Sequence, residues 1–227
     1  LGKKTAFIGK AGQDFLGDFL EETLRKEGVD PAGLCRDPQH PTTLALVQLD
    51  ARGDRSFSFY RDHCADVQLS PEDIPQQLLT NCRVFHFGSV SLTGQPCRSA
   101  TLLSAKKARE SGALVSFDPN LRPLLWEGLL QAKNEILRAI PMCDLLKVSG
   151  EEMEFLTGCS QVEEGAAQLL DMGPAAVVVT LGEQGAYVRT GSAQGHLPAY
   201  PLEAVDTTGA GDAFWGAVLS FLTGLDR

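Results

Sequence analysis

No stretch of this sequence stays apolar for long enough to cross a bilayer. The longest strongly apolar run, residues 175–181, falls far short of the ~20 residues a membrane helix needs, so no membrane partner is expected. Positive charge is also scarce. Lys and Arg number 20 against 29 Asp and Glu, a net charge of -9, which argues against a broad basic face for nucleic acid but leaves room for a small anion held locally. The six cysteines, Cys35, Cys64, Cys82, Cys97, Cys143 and Cys159, form no C-x-x-C pair. A zinc ribbon and a thioredoxin-type motif are thereby excluded, and reduced, mostly buried thiols in a cytoplasmic protein are the expectation. His40, His63, His86 and His196 show no H-E-x-x-H or other metal-ligand spacing. Two nucleotide fingerprints, G-x-x-x-x-G-K-[ST] and G-x-G-x-x-G, are absent as well. The start, Leu1-Gly2-Lys3-Lys4, has neither an initiator methionine nor the apolar core of a secretory signal; the chain is expected to begin inside a longer protein.

What is present fits an α/β domain. A length of 227 residues with 43% hydrophobic composition suits one large unit with a substantial core. Residues 5–8 read as a strand, and residues 14–28 place Phe15, Leu16, Phe19, Leu20 and Leu24 at helical spacing up to Gly28. Residues 42–50 and 55–61 alternate with period two around Ala51-Arg52-Gly53-Asp54, which predicts a β-hairpin with one face wet or laid over a ligand. Ser70-Pro71-Glu72-Asp73 opens a short helix. Thereafter strands over 84–87, 113–117, 145–148 and 175–180 alternate with helices over 96–111, 124–140, 151–156 and 162–172, and a second small hairpin starts at Gly185. Parallel neighbours need helical crossovers, so this alternation predicts a mostly parallel central sheet flanked by helices, one α/β domain over 1–227 carrying a small β lid at about 42–61. Ligands of such sheets bind at the carboxyl ends of the strands. Trp126 and Trp215 fall in helical stretches and are expected in the core.

The segment with most chemistry in it is Asp206-Thr207-Thr208-Gly209-Ala210-Gly211-Asp212, followed by an apolar helix to Leu222. Small residues at 209–211 leave backbone N–H groups uncovered at a helix start, an arrangement that binds anions. Asp212 alone has a structural reading too, because an acid in the first turn of a helix is favoured by roughly 0.3 to 1 kcal/mol.

This segment resembles the C-terminal signature D-T-x-G-A-G-D of the ribokinase family, the PfkB-type carbohydrate kinases. Gly2 and Gly12 are similar to the tail of its N-terminal signature, Thr180-Leu181-Gly182-Glu183-Gln184-Gly185 to its nucleotide-binding T-L-G-x-x-G, and Ser149-Gly150-Glu151-Glu152 to its N-x-x-E, with Ser in place of Asn. Phe57-Ser58-Phe59-Tyr60-Arg61, His86-Phe87-Gly88-Ser89, Asp118-Pro119-Asn120-Leu121-Arg122 and Leu146-Lys147-Val148-Ser149 are similar to the fructokinase branch, and some of them also to 2-keto-3-deoxygluconate kinases. The likeness runs over essentially the whole chain and implies that the chain is the middle of a member truncated at both ends.

The resemblance implies a ribokinase-like fold and ATP-dependent phosphorylation of a primary hydroxyl, most simply fructose to fructose 6-phosphate. It makes Asp212 the catalytic base and Gly209, Ala210 and Gly211 the anion hole. It puts Arg61, Ser89, Asn120 and Arg122 at the substrate, and Lys147, Thr180, Gly182 and Gly185 at ATP. Glu152 would act on Mg²⁺ through water, and Asp206 and Thr208 would hold a monovalent cation such as K⁺. Arg61 has the alternative of a solvated lid charge. Pairing of two copies through the lid is a further expectation. The competing readings are a 2-keto-3-deoxygluconate kinase, whose substrate carboxylate needs an extra cation near Arg61 or Arg122, and a non-catalytic sugar or nucleotide sensor.

Overall fold

Two parallel strands open the chain. In the computed structural model, which describes residues 1–49, 55–201, 207 and 209–224, β1 (Thr5–Gly12) pairs in parallel with β2 (Val29–Asp37) across α1 (Phe15–Lys26). The Asp14 side chain caps α1 by accepting from the Gly17 amide at 2.8 Å, and Gly28 turns the chain out at φ 73°. The strand β2 was not expected, because Asp30, Pro31 and Gly33 break its pattern; Pro is tolerated there since β2 is an edge. The aromatic stripe of α1 also differs from expectation. Phe15 and Phe19 are 77% and 63% exposed, and the helix packs through its buried Gly17, where a Cβ would stand 2.2 Å from the Gly12 carbonyl oxygen.

The hairpin forms as expected, from β3 (Leu44–Leu49) and β4 (Arg55–Tyr60), as a separate two-stranded antiparallel sheet. Its turn, residues 50–54, lies outside the described residues. Leu44 stands opposite Tyr60 and Ala45 opposite Phe59, so Ala45 and Phe59 share one face while Leu44, Leu46 and Tyr60 share the other. A 3-10 turn, Pro71–Asp73, closed by a Ser70–Asp73 capping box, and α2 (Gln76–Thr80) lead into the main sheet.

That sheet has six strands in the order β10-β9-β8-β7-β6-β5. The first four in sequence, β5 (Val84–Gly88), β6 (Leu114–Asp118), β7 (Leu145–Ser149) and β8 (Ala176–Thr180), run parallel; β9 (Ala186–Thr190) and β10 (Gln194–Leu197) turn back antiparallel. The crossovers are α3 (Cys97–Glu110), α4 (Leu129–Ala139) and the pair α5 (Gly150–Thr157) and α6 (Val162–Asp171). The helix expected over 124–140 is split: a short 3-10 turn, Pro123–Leu125, precedes it, and extended Gly128 starts α4. Alternation along β8 sorts its side chains between two faces. Val177 and Val179 join Phe117, Leu146, Val148 and Ile136 in the main core, whereas Val178 meets Trp215 of α7 (Ala210–Leu222) on the other side. Phe87 stacks on Phe117 at 4.5 Å. Each such buried side chain contributes about 1.5 to 3 kcal/mol. Both tryptophans are buried, and all six cysteines are free, with burial pushing the Cys97 and Cys143 thiols up to about 11 and about 12.

Candidate active site

Because Gly88 pairs with Asp118 and Ser149 with Thr180, the carboxyl ends of β5 to β8 share one edge. Lys147 sits near the end of β7, 6% exposed, and its Nζ donates to Asp118 Oδ2 at 2.8 Å; Asp118, at the end of β6, is 3% exposed. Burial raises the Asp118 carboxyl above the usual range; the Lys147 ammonium works against that rise and the nearby Asp212 carboxylate adds to it. Asp118 Oδ1 makes no hydrogen bond of normal geometry. On the other side of Lys147 lies the start of α7. A Cβ on Gly211 would stand 3.0 Å from Lys147 Nζ, so the missing side chain at residue 211 lets the ammonium come close without having to give way.

Gly209 caps α7 in the left-handed region at φ 75°, and Asp212 lies exposed in the first turn. Of the expected anion-hole amides, that of Ala210 donates to the Thr207 carbonyl at 3.1 Å. Those of Gly211 and Asp212 find no acceptor among the described residues. Asp206 and Thr208 lie outside the described residues. The helix is tied to the sheet by Trp215, whose Nε1 donates to Ser116 Oγ at 2.7 Å; the same hydroxyl meets His86 Nδ1 at 2.9 Å. Packing of the ring against protein pushes His86 below its ordinary value, outweighing the pull of Asp212, with Lys147 adding to the depression.

A cavity of about 250 Å³ opens between the hairpin and the sheet edge, lined by Thr43, Ala45, Phe59, Arg61, Asp66, Val90, Asn120, Arg122 and Leu125. Three of the four expected substrate residues therefore meet. Asn120 takes a left-handed conformation, φ 45°, and its Oδ1 accepts from Arg122 Nη1 at 2.7 Å. Arg61 is differently employed: Nε donates to Asp66 at 2.6 Å, Nη2 to the Val90 carbonyl at 3.0 Å, and Nη1 to Thr93. It fastens the chain just after β4 to the loop after β5 and is not a solvated charge. Ser89 is fully buried, and its Oγ has no partner.

Glu152 is also committed. Its carboxylate accepts from the Leu121 amide at 2.7 Å and from the Ser149 amide at 2.8 Å, while Ser149 Oγ accepts from the Glu152 amide at 3.1 Å. This capping box fastens the loop after β6 to the start of α5, and Ser149 serves as the cap where the N-x-x-E motif it resembles has Asn. Thr180 ends β8 with its hydroxyl 3.4 Å from the Val148 carbonyl. The following turn is closed by Gly185, whose φ is 96° and whose Cβ would stand 2.0 Å from the Leu197 oxygen; Gly182 faces open space. Among the described residues no cluster of three or more His, Cys, Asp or Glu is arranged to hold a metal.

A larger cavity of about 580 Å³ lies beside β2, lined by Lys10, Arg36, Asp37, His40 and Asp73 among others. Its charges are matched: Lys10 pairs with Asp73 at 2.8 Å and with Asp37 at 3.8 Å, and Arg36 with Asp18 at 2.6 Å. The sequence pointed to Lys147, Asn120 and Arg122 but missed Asp118, Asp66 and Ser116. The one legible signal was an acid at the carboxyl end of an otherwise apolar strand.

Residues 1–224 match the pfkB family carbohydrate kinase description. The chain is 44% identical over 220 residues to Fructokinase-1 of Oryza sativa subsp. japonica, covering 96% of this chain and 68% of that protein. The crystal structure of fructokinase from Xylella fastidiosa with bound ATP superposes with a TM-score of 0.91 at 32% identity, over 100% of this chain and 70% of that one. Fructokinase from Vibrio cholerae O395, in a form binding fructose, ADP and calcium ion, gives 0.87 at 40% identity, over 96% of this chain and 70% of that one.

Proposed function

The chain belongs to the pfkB family of carbohydrate kinases, and from that membership we propose that it transfers the γ-phosphoryl group of ATP to the primary hydroxyl of fructose, giving fructose 6-phosphate. The observation that carries this reading is the meeting of Lys147 with the Gly211 turn of α7 at 3.0 Å from the absent Cβ: a buried cation under open amides is a receptor for a charged phosphoryl group. The identity of 44% to a plant fructokinase favours fructose as the acceptor. We take residues 1–227 as one α/β unit, with the hairpin as its lid.

Phosphoryl transfer needs alignment and charge compensation more than covalent help. Asp212 takes the proton of the attacking hydroxyl as the new O–P bond forms. The amides of Gly211 and Asp212 stabilise charge on the transferring group, as oriented donors do where water is excluded; Gly209 supplies the turn that presents them. Asn120 and Arg122 line the sugar cavity, and Thr180, Gly182 and Gly185 shape the floor for the nucleotide. A Mg²⁺ ion carried on the ATP phosphates keeps several waters and needs few protein ligands. Glu152 fits such a role only through lone pairs left over from its two amide bonds, so its first task is to tether. Asp206 and Thr208 remain our candidates for a monovalent cation, and the exposed face of Leu44, Leu46 and Tyr60 for contact with a second copy.

A keto-acid substrate would need a cation for its carboxylate; the Arg61 commitments speak against Arg61 in that role and leave Arg122, which bonds to the neutral Asn120 and the Leu121 carbonyl, as its candidate. The test is a panel of fructose, ribose and 2-keto-3-deoxygluconate with Mg·ATP, following ADP release and the phosphorylated product. Fructose should have the highest kcat/KM. A higher value for 2-keto-3-deoxygluconate would replace it, and no turnover of any sugar would leave the sensor reading.

A further inference from the structure

Ion pairs sealed inside a protein are poor stabilisers, because the desolvation of two charges offsets their attraction, and a well-packed apolar pair often does as well or better. Lys147 and Asp118 sit at neighbouring strand ends beside Phe117, Leu146 and Val148, all fully buried. Stability of the sheet does not call for charges at this point. The pair does hold an ammonium in one place. Of the three N–H groups on Lys147 Nζ, one goes to Asp118 at 2.8 Å, and the others have no acceptor among the described residues. The same Nζ stands 3.0 Å from where a Gly211 side chain would begin. One more buried polar atom at these strand ends, Ser89 Oγ, lacks a partner as well, and Asp118 Oδ1 meets the Asn120 amide without normal hydrogen-bond geometry. A buried ammonium with donors unspent is costly unless an anion completes it.

We propose that Asp118 is a positioning residue for phosphoryl transfer: it pins the Lys147 ammonium beneath the first turn of α7, where that charge stabilises the negative charge on the group in transit. The assignment rests on the reading of the α7 turn as the anion hole. Asp118 touches neither sugar nor nucleotide in this arrangement and acts through Lys147. The carboxylate also keeps the long lysine side chain from relaxing outward. The lost interaction should appear mainly in kcat, since oriented charge in a water-excluded site counts most where charge develops.

The experiment is a double-mutant cycle of Asp118→Asn, Lys147→Met and the two combined, read by kcat, by direct equilibrium binding of ATP and by the urea unfolding midpoint. If the pair is only structural, each single change leaves a lone buried group and lowers stability, and the double variant recovers both stability and kcat. The proposal expects the double variant to recover stability while its kcat stays about 10²-fold below wild type and its ATP affinity stays within threefold. A stable double variant with kcat within threefold of wild type overturns it, even if Asp118→Asn alone fails to fold. Asp212→Asn assayed alongside separates the two readings. Full activity in that variant overturns the anion-hole reading and this proposal together, whereas an impaired Asp212→Asn enzyme with an active double variant overturns this proposal alone.

Discussion

Trp215 and Ser116 are 99 positions apart in the chain and meet at 2.7 Å, with the indole N–H donating to the hydroxyl. This bond ties the first turns of α7 to the middle of β6, one helical turn from Asp212. It also leaves the Ser116 proton available to His86 Nδ1, 2.9 Å away. Trp215→Phe keeps most of the packing against Val178 and Ala186 but removes the donor. We expect about 1 to 3 kcal/mol of lost stability, the cost of a broken buried hydrogen bond, measured as a shift in the urea midpoint. A fall in kcat larger than that in sugar or ATP affinity should accompany it.

Asp212 separates the structural from the catalytic reading. As a helix-dipole acid alone, its replacement by Asn would cost roughly 0.3 to 1 kcal/mol of stability and leave kcat nearly unchanged. Asn keeps the size and hydrogen bonding but cannot take a proton, so kcat should fall about 10²- to 10⁴-fold at saturating sugar and ATP. Nucleotide affinity should hold, since the open amides at the start of α7 remain. A variant within threefold of wild-type kcat would show that the proton goes elsewhere.

Asp66 carries both feet of the hairpin. One oxygen accepts from Thr43, just before β3, and the other from Arg61 Nε at 2.6 Å, just after β4. The carboxylate is one-third exposed, so Asp66→Ala should cost global stability little beyond the roughly 0.2 to 1 kcal/mol of a solvated ion pair. Its effect on closure should be larger. With the lid loosened, KM for the sugar should rise several-fold, and ATP hydrolysis per sugar phosphorylated should increase as water enters. An unchanged ratio of ADP to sugar phosphate would exclude a sealing role.

Acid should weaken the contacts beside β2. Burial pushes the Asp73 carboxyl upward, but the Lys10 ammonium and the Ser70 amide, each at 2.8 Å, outweigh it and hold the group below the usual range. An acid with a lowered native pKa stabilises the fold above its unfolded value of about 3.9, and that contribution is lost as the pH falls through the native value. Asp37 acts in the same direction, held low chiefly by the Gln39 amide against the upward push of burial. The urea midpoint should therefore drop as the pH falls below about 4. Asp73→Asn should make that limb shallower; an identical slope would mean that other carboxylates govern it.

How much of this could be read beforehand depends on the range of the interactions involved. The apolar run of β8 and the alternation of β3 and β4 are local patterns that stand where the sequence put them, whereas Ser70-Pro71 caps only a 3-10 turn and the helix starts afresh at Gln76 after extended Ile74 and Pro75. The strand β2 was missed because Asp30, Pro31 and Gly33 break the strand pattern, and only pairing with β1 makes them a strand. Gly128 was passed over as a break because the apolar spacing continues across it. In the site, Asn120, Arg122 and Lys147 were found as cations or amides at strand ends. Arg61 was found, but its bonds to Asp66, Thr93 and Val90 were not legible, since those partners reach it only in the fold. Asp118 was missed because its meaning comes from a lysine 29 residues away.

A cation that is already neutralised has little reach. Asp118 cancels the Lys147 charge at 2.8 Å, and burial hides the remainder, so an approaching ATP senses chiefly a protein of net charge -9, a repulsion that salt screens over a Debye length of about 8 Å at physiological ionic strength. Bodies of like sign meet more often when salt screens them. The bimolecular rate of nucleotide capture should therefore rise with ionic strength, the reverse of an enzyme that draws its substrate down an open basic funnel. Lys147 contributes nothing to the approach and acts only on a nucleotide that has already arrived.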